Sequence, residues 1–442
     1  MTKLFAVLLV GLFGWSSACL ASGGCSVSDP TDIEYLIFWG PWPGEAPDPL
    51  DRIGPLAAKI GTTGDGKTRQ LGFGPGIPFW VRNESGIRQA IRRAFDTARR
   101  TNVAAHFGVD DHIGWDQRPD LWNWYDRTRP GYNQDNKKNV EWYDWAGTAN
   151  KRRYMTPEGT PSQAPHMCYN SPAIEKEIHR IVSEVVGPAL REEIDKLKLE
   201  NKEYLFAGIT IGAEAGFDDY STIPSLYRIL PTLPQPVQSQ ERMTLDQASR
   251  LMDEDKAPYA RLGYCSLTND GYTFDNPPVD LNQALARINQ KFIEFWDKQF
   301  VDAGIPCSRI YTHIVASNSQ DNSNNAPIRI AFNPYARPGW TTYPTGILAN
   351  GFQPLYDELA KHGNPAWGGV EANADMAIPN PLTRAGWEEY LAWHYNHGAK
   401  VVGINVGASD QSLMSHLFEG AFGGKALAVY RKFLNGKVLI EK

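Results

Sequence analysis

The chain is predicted to be an α/β protein, a (β/α)8 TIM barrel with long βα-loop insertions after strands three and four. Three observations lead there. Short apolar, β-branched runs alternate eight times with segments of helical periodicity along the 442 residues. The long irregular stretches follow strand patterns rather than helices, which gathers them on the C-terminal face of a barrel. The turn after the first strand, GPWPGEAP from Gly40 to Pro47, lacks the Gly-rich phosphate loop expected of a doubly wound open sheet, the nearest alternative.

In chain order, Glu34 to Gly40 (EYLIFWG) reads as strand one, and a short helical piece covers Pro49 to Ile60. Arg69 to Gly74 is strand two, ended by Pro75 and Gly76. Ser85 is placed to cap a helix from Gly86 to Arg100, whose stripe is Ile87, Ala90, Ile91, Ala94 and Ala98. Val103 to Val109 is strand three and runs into Asp110, Asp111 and His112. The aromatic-rich stretch 113–170 then far exceeds an ordinary connection of roughly 4 to 6 residues. Ser171 and Pro172 open a long helix to about Leu199.

Strand four, within Tyr204 to Phe217 (YLFAGITIGAEAGF), ends at Glu214, where Gly212 and Gly216 break the pattern. A second insertion spans Asp218 to Pro278 with a short helix near Leu245 to Met252, and Leu281 to Ala303 is a helix. Arg309 to Val315 is strand five, and Ile328 to Phe332 is expected to be strand six, with no full helix between them. A helix at Phe352 to Lys361 precedes strand seven, in WGGVEANADM (Trp367 to Met376), ending at Glu371. Thr383 to Asn396 is a helix, Lys400 to Val406 is strand eight, and Leu413 to Phe433 closes the chain.

A hydrophobic content of 42% with 21% charged residues fits a globular chain with a large core, and 25–442 is expected to form one barrel domain. The net charge of −6 without any basic block argues against nucleic acid or an anionic membrane as partner. Residues 1–24 read as an export signal: Lys3, an apolar run from Leu4 to Trp15, then small residues. That run is short for a membrane span, and neither Cys19 nor Cys25 follows a clean lipidation box. The mature protein is therefore expected in the periplasm or outside the cell, without a transmembrane segment. Cys25, Cys168, Cys265 and Cys307 remain after cleavage; no spacing among them suggests zinc, and Cys168 and Cys265 are candidates to pair.

In a closed eight-stranded barrel, strands four and seven face each other across the mouth, so Glu214 and Glu371 can enter one cleft. Either glutamate alone could cap a helix or pair with an arginine; two at these positions point to chemistry. Cleaving a glycosidic bond needs such a pair, one carboxyl protonated to assist the leaving oxygen and one ionised to attack or to activate water. In this the chain resembles the clan A retaining β-glycoside hydrolases, whose acid/base ends strand four and whose nucleophile ends strand seven. The resemblance implies that Glu214 is the acid/base, that Glu371 is the nucleophile, and that Tyr335, or Tyr343 in its place, orients the nucleophile. Where clan members carry an asparagine before the acid/base, this chain has Ala213.

Trp39 and Asn405, at the ends of strands one and eight, are expected to complete the mouth with Asp111, His112, His313, Asn333 and Asn373. Trp115, with Trp122 and Trp124, is expected to stack on sugar faces, the alternative being a self-packed loop core. The partner expected is a carbohydrate. No cofactor is expected, and Asp110, Asp111 and His112 are too few ligands for a metal. An inverting glycosidase, a non-catalytic glycan-binding barrel and, more weakly, a metal-dependent hydrolase or lyase remain as alternatives.

Overall fold

The computed structural model describes residues 32–40, 47–110, 113–151, 153–154, 161–162, 164–212, 214–217, 262–315, 326–343, 352–372, 384–405, 420–437 and 439. The expected signal peptide, the helix near Leu245 to Met252, and Asp111, His112 and Asn373 lie outside them. Apart from a two-residue antiparallel pair, Arg153–Tyr154 with Pro161–Ser162, its strands belong to the barrel: β1 (Glu34–Trp39), β2 (Arg69–Gly74), β3 (Ala104–Val109), β4 (Phe206–Ile211), β5 (Ile310–Thr312 and Ile314–Val315), β6 (Gly339–Thr341), β7 (Trp367–Ala372) and β8 (Ala399–Asn405).

All pair in parallel and in sequence order, β8 returning to β1 through Tyr35↔Val401 to Trp39↔Asn405. The ring closes at β5. Its first segment pairs with β4 (Ile211↔Thr312) and its second with β6 (Ile314↔Trp340), so the chain changes partner at His313. This is the eight-stranded barrel that the sequence predicts.

The side chains sort with a period of two, as strand geometry requires. On β1, Tyr35 and Ile37 join Ala104, Ala207, Tyr311, Val370 and Val401 in the barrel interior, while Leu36 and Phe38 join the layer beneath the helices. That outer layer is covered by α1 (Ile53–Ile60), α2 (Glu84–Thr101), α3 (Pro172–Ile181, Val182–Val186 and Gly187–Leu199), α4 (Leu281–Asp302), α5 (Gln353–Lys361), α6 (Arg384–Tyr395) and α7 (Gly420–Leu434). Asn83, rather than Ser85, caps α2, its side chain accepting from Gly86 N at 3.0 Å.

The middle segment of α3 is a π turn, and its cause is Pro188. Proline offers no N–H to the carbonyl four residues back. That carbonyl, on Glu184, instead accepts a bond from the Arg88 guanidinium of α2.

One strand departs from expectation. Ile328–Ala331 is a 3-10 turn, and β6 is the later segment Gly339–Thr341. The apolar alternation of Ile328 and Ile330 also suits a single helical turn, and Pro327 just before it favours a turn start. Trp340 Nε1 donates to Ile328 O at 3.1 Å, tying the turn to the true strand.

The described part of 113–170 follows β3 as short helical turns that pack on themselves. Trp115 Nε1 donates to Pro165 O at 2.9 Å and Trp122 Nε1 to Trp115 O at 2.8 Å. Cys168 and Cys265 are free, buried thiols rather than a disulfide. Cys307 is disulfide-bonded, with its partner outside the described residues. No helix among the described residues is long and apolar enough to cross a membrane.

Candidate active site

The two glutamates reach the barrel mouth by different local devices. After β4, Gly212 (φ 113°) and Glu214 (φ 62°) both take positive φ, so the chain leaves the strand in a turn closed by Ala215 N donating to Gly212 O at 2.9 Å. Left-handed backbone at a glutamate is strained by about 1 kcal/mol or more, a cost that tends to persist at functional positions. Glu214 N is held by His313 O at 3.1 Å, which fixes that turn against β5.

On β7, Val370 belongs to the barrel interior, so an unbroken strand would send Glu371 outward. Register shifts between Gly369 and Glu371 against β6, and between Gly369 and Ala372 against β8, re-aim it.

The carboxylates meet around one imidazole. His313 Nε2 is 3.4 Å from Glu371 Oε2 and 4.0 Å from Glu214 Oε1, and the facing atoms of the three residues all lie within 4.8 Å of one another. Their surroundings differ. Glu371 Oε1 accepts from Tyr343 Oη at 2.6 Å and from Asn405 Nδ2 at 2.7 Å. Glu214 Oε1 accepts a short bond from the Thr341 hydroxyl, whose oxygen lies 2.8 Å from His313 Nε2.

Burial first, then the negative charge of Glu371, pushes the Glu214 carboxyl up to about 8, against the bond from Thr341. Its side chain keeps 36% of its surface open to solvent, which screens the effect. Burial, with the Glu371 charge beside it, likewise raises the Tyr343 phenol well above its ordinary range, so it stays a donor.

Two carboxylates and an imidazole are also donors a divalent ion could take. Here, however, the ring nitrogen facing the carboxylates is already engaged by Thr341.

Trp39 lies half-buried against the interior side chains of the barrel, as a plug. Its Nε1 donates to Val370 O at 2.8 Å, and its ring meets His106 edge-on at a centroid distance of 5.7 Å. A Cβ on Gly74 would come within 2.0 Å of the indole, and one on Gly403 within 2.5 Å of its Nε1 and 2.2 Å of Val370 O. Those glycines are what let so large a ring lie inside. His106, buried beside it, bonds Thr210 Oγ1 at 2.6 Å and is held neutral by burial, which lowers it to about 3.

His313 and Asn405 therefore sit at the mouth with the glutamates, while other expected site residues do not. Trp115 is only 3% exposed and packs edge-on against Trp80 at 5.2 Å; it belongs to the core of the loop layer. Trp122 is fully buried. Asn333 donates to buried Asp297 at 2.7 Å and accepts from Tyr335 N at 2.9 Å, which makes it a turn former. Tyr335 lies against Lys298 of α4, 5.9 Å from ring centroid to ammonium, and Tyr343 takes the place at Glu371. Thr341 was not anticipated. Its signal was the Thr-Thr-Tyr run from Thr341 to Tyr343, legible only once Gly339–Thr341 is known to be a strand.

No protein-family model matches the chain, and no curated protein matches it. Among solved structures it is similar to a glycoside hydrolase family 5 enzyme from Prevotella bryantii in complex with a xyloglucan tetradecasaccharide. The TM-score is 0.41 at 9% identity, over 92% of this chain and 97% of that one. It is also similar to the beta-glycosidase BGL167, with a TM-score of 0.44 at 9% identity over 89% and 87% of the two chains. A beta-glucosidase, 1317, gives 0.34 at 12% identity over 80% and 76%. The barrel assignment rests on the strand pairing, independently of these likenesses.

Proposed function

We propose that the protein is an exported glycoside hydrolase that cleaves a glycosidic bond in an oligo- or polysaccharide with retention, using Glu371 as nucleophile and Glu214 as general acid/base. The observation that carries this is the contrast between two facing carboxyls. Glu371 accepts two donated hydrogens, from Tyr343 and Asn405, which fix its orientation, whereas Glu214 is pushed toward its protonated form. Facing atoms within 4.8 Å fit the roughly 5 to 5.5 Å carboxyl separation of retaining enzymes better than the 6.5 to 9.5 Å that leaves room for a water.

In the first step Glu371 Oε2 attacks the anomeric carbon while Glu214 gives its proton to the departing glycosidic oxygen. The glycosyl–oxygen bond breaks as the glycosyl–Glu371 ester forms. In the second step ionised Glu214 takes a proton from water, whose oxygen displaces Glu371 and restores both groups. Tyr343 and Asn405 tie down Oε1, leaving Oε2 for the attack. The Leu4 to Trp15 signal pattern and a disulfide-bonded Cys307 support an oxidising compartment outside the cytoplasm.

The test is turnover of a panel of aryl glycosides. Glu371→Ala is expected to abolish it for every leaving group. Glu214→Ala is expected to spare the first step for good leaving groups, which need no proton, and to slow the second. Wild-type turnover in either variant would overturn the assignment.

A further inference from the structure

His313 touches both carboxyl systems with one atom. Thr341 Oγ1 donates its only hydrogen to Glu214, so its oxygen is the acceptor for His313 Nε2–H at 2.8 Å. The same N–H faces Glu371 Oε2 at 3.4 Å, beyond a good hydrogen bond but close enough for charge to pull on it. The position is built: His313 is 7% exposed and sits where β5 changes partner from β4 to β6, and its carbonyl fixes the Glu214 turn.

We propose that His313 and Thr341 couple the two glutamates: one Nε2–H, shared between Glu371 Oε2 and Thr341 Oγ1, tightens the threonine hydroxyl onto Glu214 when Glu371 loses its charge. The coupling rests on the catalytic roles proposed above and adds a device that makes the two charges alternate.

In the resting pair Glu371 is anionic and draws the N–H toward itself. The Thr341 oxygen is then less polarised, its O–H is a weaker donor, and Glu214 keeps its proton. Once Glu371 Oε2 is bonded to the sugar it is no longer an anion. The N–H turns wholly to Thr341, and the chain of two hydrogen bonds strengthens cooperatively. Glu214, which has just lost its proton, then receives its best stabilisation as the base of the second step. No proton moves along the chain. His313 and Thr341 are positioning residues.

The charged and titratable groups facing this chain are Glu214 after β4, Glu371 of β7 and Tyr343 after β6. Asp110 after β3 acts on Glu214 through its charge. Asn405 of β8 completes the set as a neutral donor.

The experiment follows the Glu214 carboxyl by 13C NMR in glutamate-labelled protein, with circular dichroism to confirm folding. Thr341→Val is expected to raise the Glu214 midpoint by about one pH unit, the worth of a hydrogen bond to a charged group. In a Glu371→Gln background, where the neighbouring charge is gone, the same substitution is expected to raise it by at least about half a unit more. Thr341→Ser should restore the original midpoint, and His313→Ala should make the Thr341→Val shift equal in both backgrounds. Equal shifts with His313 intact would overturn the coupling, as would no shift at all.

In turnover, Thr341→Val is expected to slow the second step about tenfold more than the first. Uniform slowing of both steps would contradict the proposal. The titration needs no substrate, so it reads the coupling even where the glycosidase assignment fails.

Discussion

Removing the charge of Glu371 without changing its shape should release the proton of Glu214. In Glu371→Gln the amide oxygen can still accept from Tyr343 and Asn405, so the mouth keeps its packing and loses one negative charge. Two unit charges 4.8 Å apart, the outer limit of the trio, repel by about 3.5 kcal/mol at an effective dielectric of 20 and by about 0.9 kcal/mol in water. A Glu214 side chain that is 36% exposed lies between those limits. We therefore expect about 1 to 2 kcal/mol, or roughly one pH unit.

The sign is downward: with less repulsion the anion is favoured, and the midpoint falls from about 8 toward 7. The assay is the same carboxyl titration by 13C NMR. A Glu214 midpoint that stays put or rises in Glu371→Gln would refute the claim that the two carboxyls feel each other across the mouth.

Two further outcomes test the frame around the site. Glu141 is fully buried in the loop layer, bonded by Ser266, and burial raises its carboxyl to about 7 from an ordinary 4.5. A raised acid costs no stability below about pH 4.5 and progressively more up to pH 7. Glu141→Gln should therefore gain on the wild type by roughly 3 kcal/mol between pH 4.5 and 7.5 in denaturant unfolding, and a pH-independent difference would refute this. Gly403→Ala should destabilise the barrel by about 1 to 3 kcal/mol by forcing Trp39 off Val370 O. Gly54→Ala, whose added methyl meets nothing, serves as the control, and equal melting temperatures for the two would contradict the plug.

Where side-chain periodicity ran long enough, the sequence was readable. The EYLIFW run of β1 and the stripe of α2 stand within a residue or two of expectation, because each must bury one face against a neighbour. Glu214 was legible because a lone charge closes a fully buried run.

Three-residue β6 was not, since Gly339–Thr341 is too short to show any period, and Ile328–Ala331 imitated it. Misplacing β6 put Tyr335 ahead of Tyr343, the tyrosine that bonds Glu371. Trp115 and Trp39 were ambiguous for another reason: an aromatic in a loop or at a strand end is equally suited to stacking on a sugar and to filling a core. The deciding facts are partners distant in sequence, Trp80 for the first and Gly403 for the second. The bulge that re-aims Glu371 is likewise a property of pairing with β6 and β8, which one strand's residues do not encode.

The central claim is that Glu371 becomes covalently bonded to the sugar. Incubating the protein with a panel of 2-deoxy-2-fluoroglycosyl fluorides of both anomers slows the second step, so that the ester accumulates. Intact mass spectrometry followed by peptide mapping then locates it. The expected result is a single added fluorosugar on the peptide containing Glu371, absent in Glu371→Gln. A label on Glu214, or steady turnover of a reactive member of the panel with inverted product and no adduct, would contradict it.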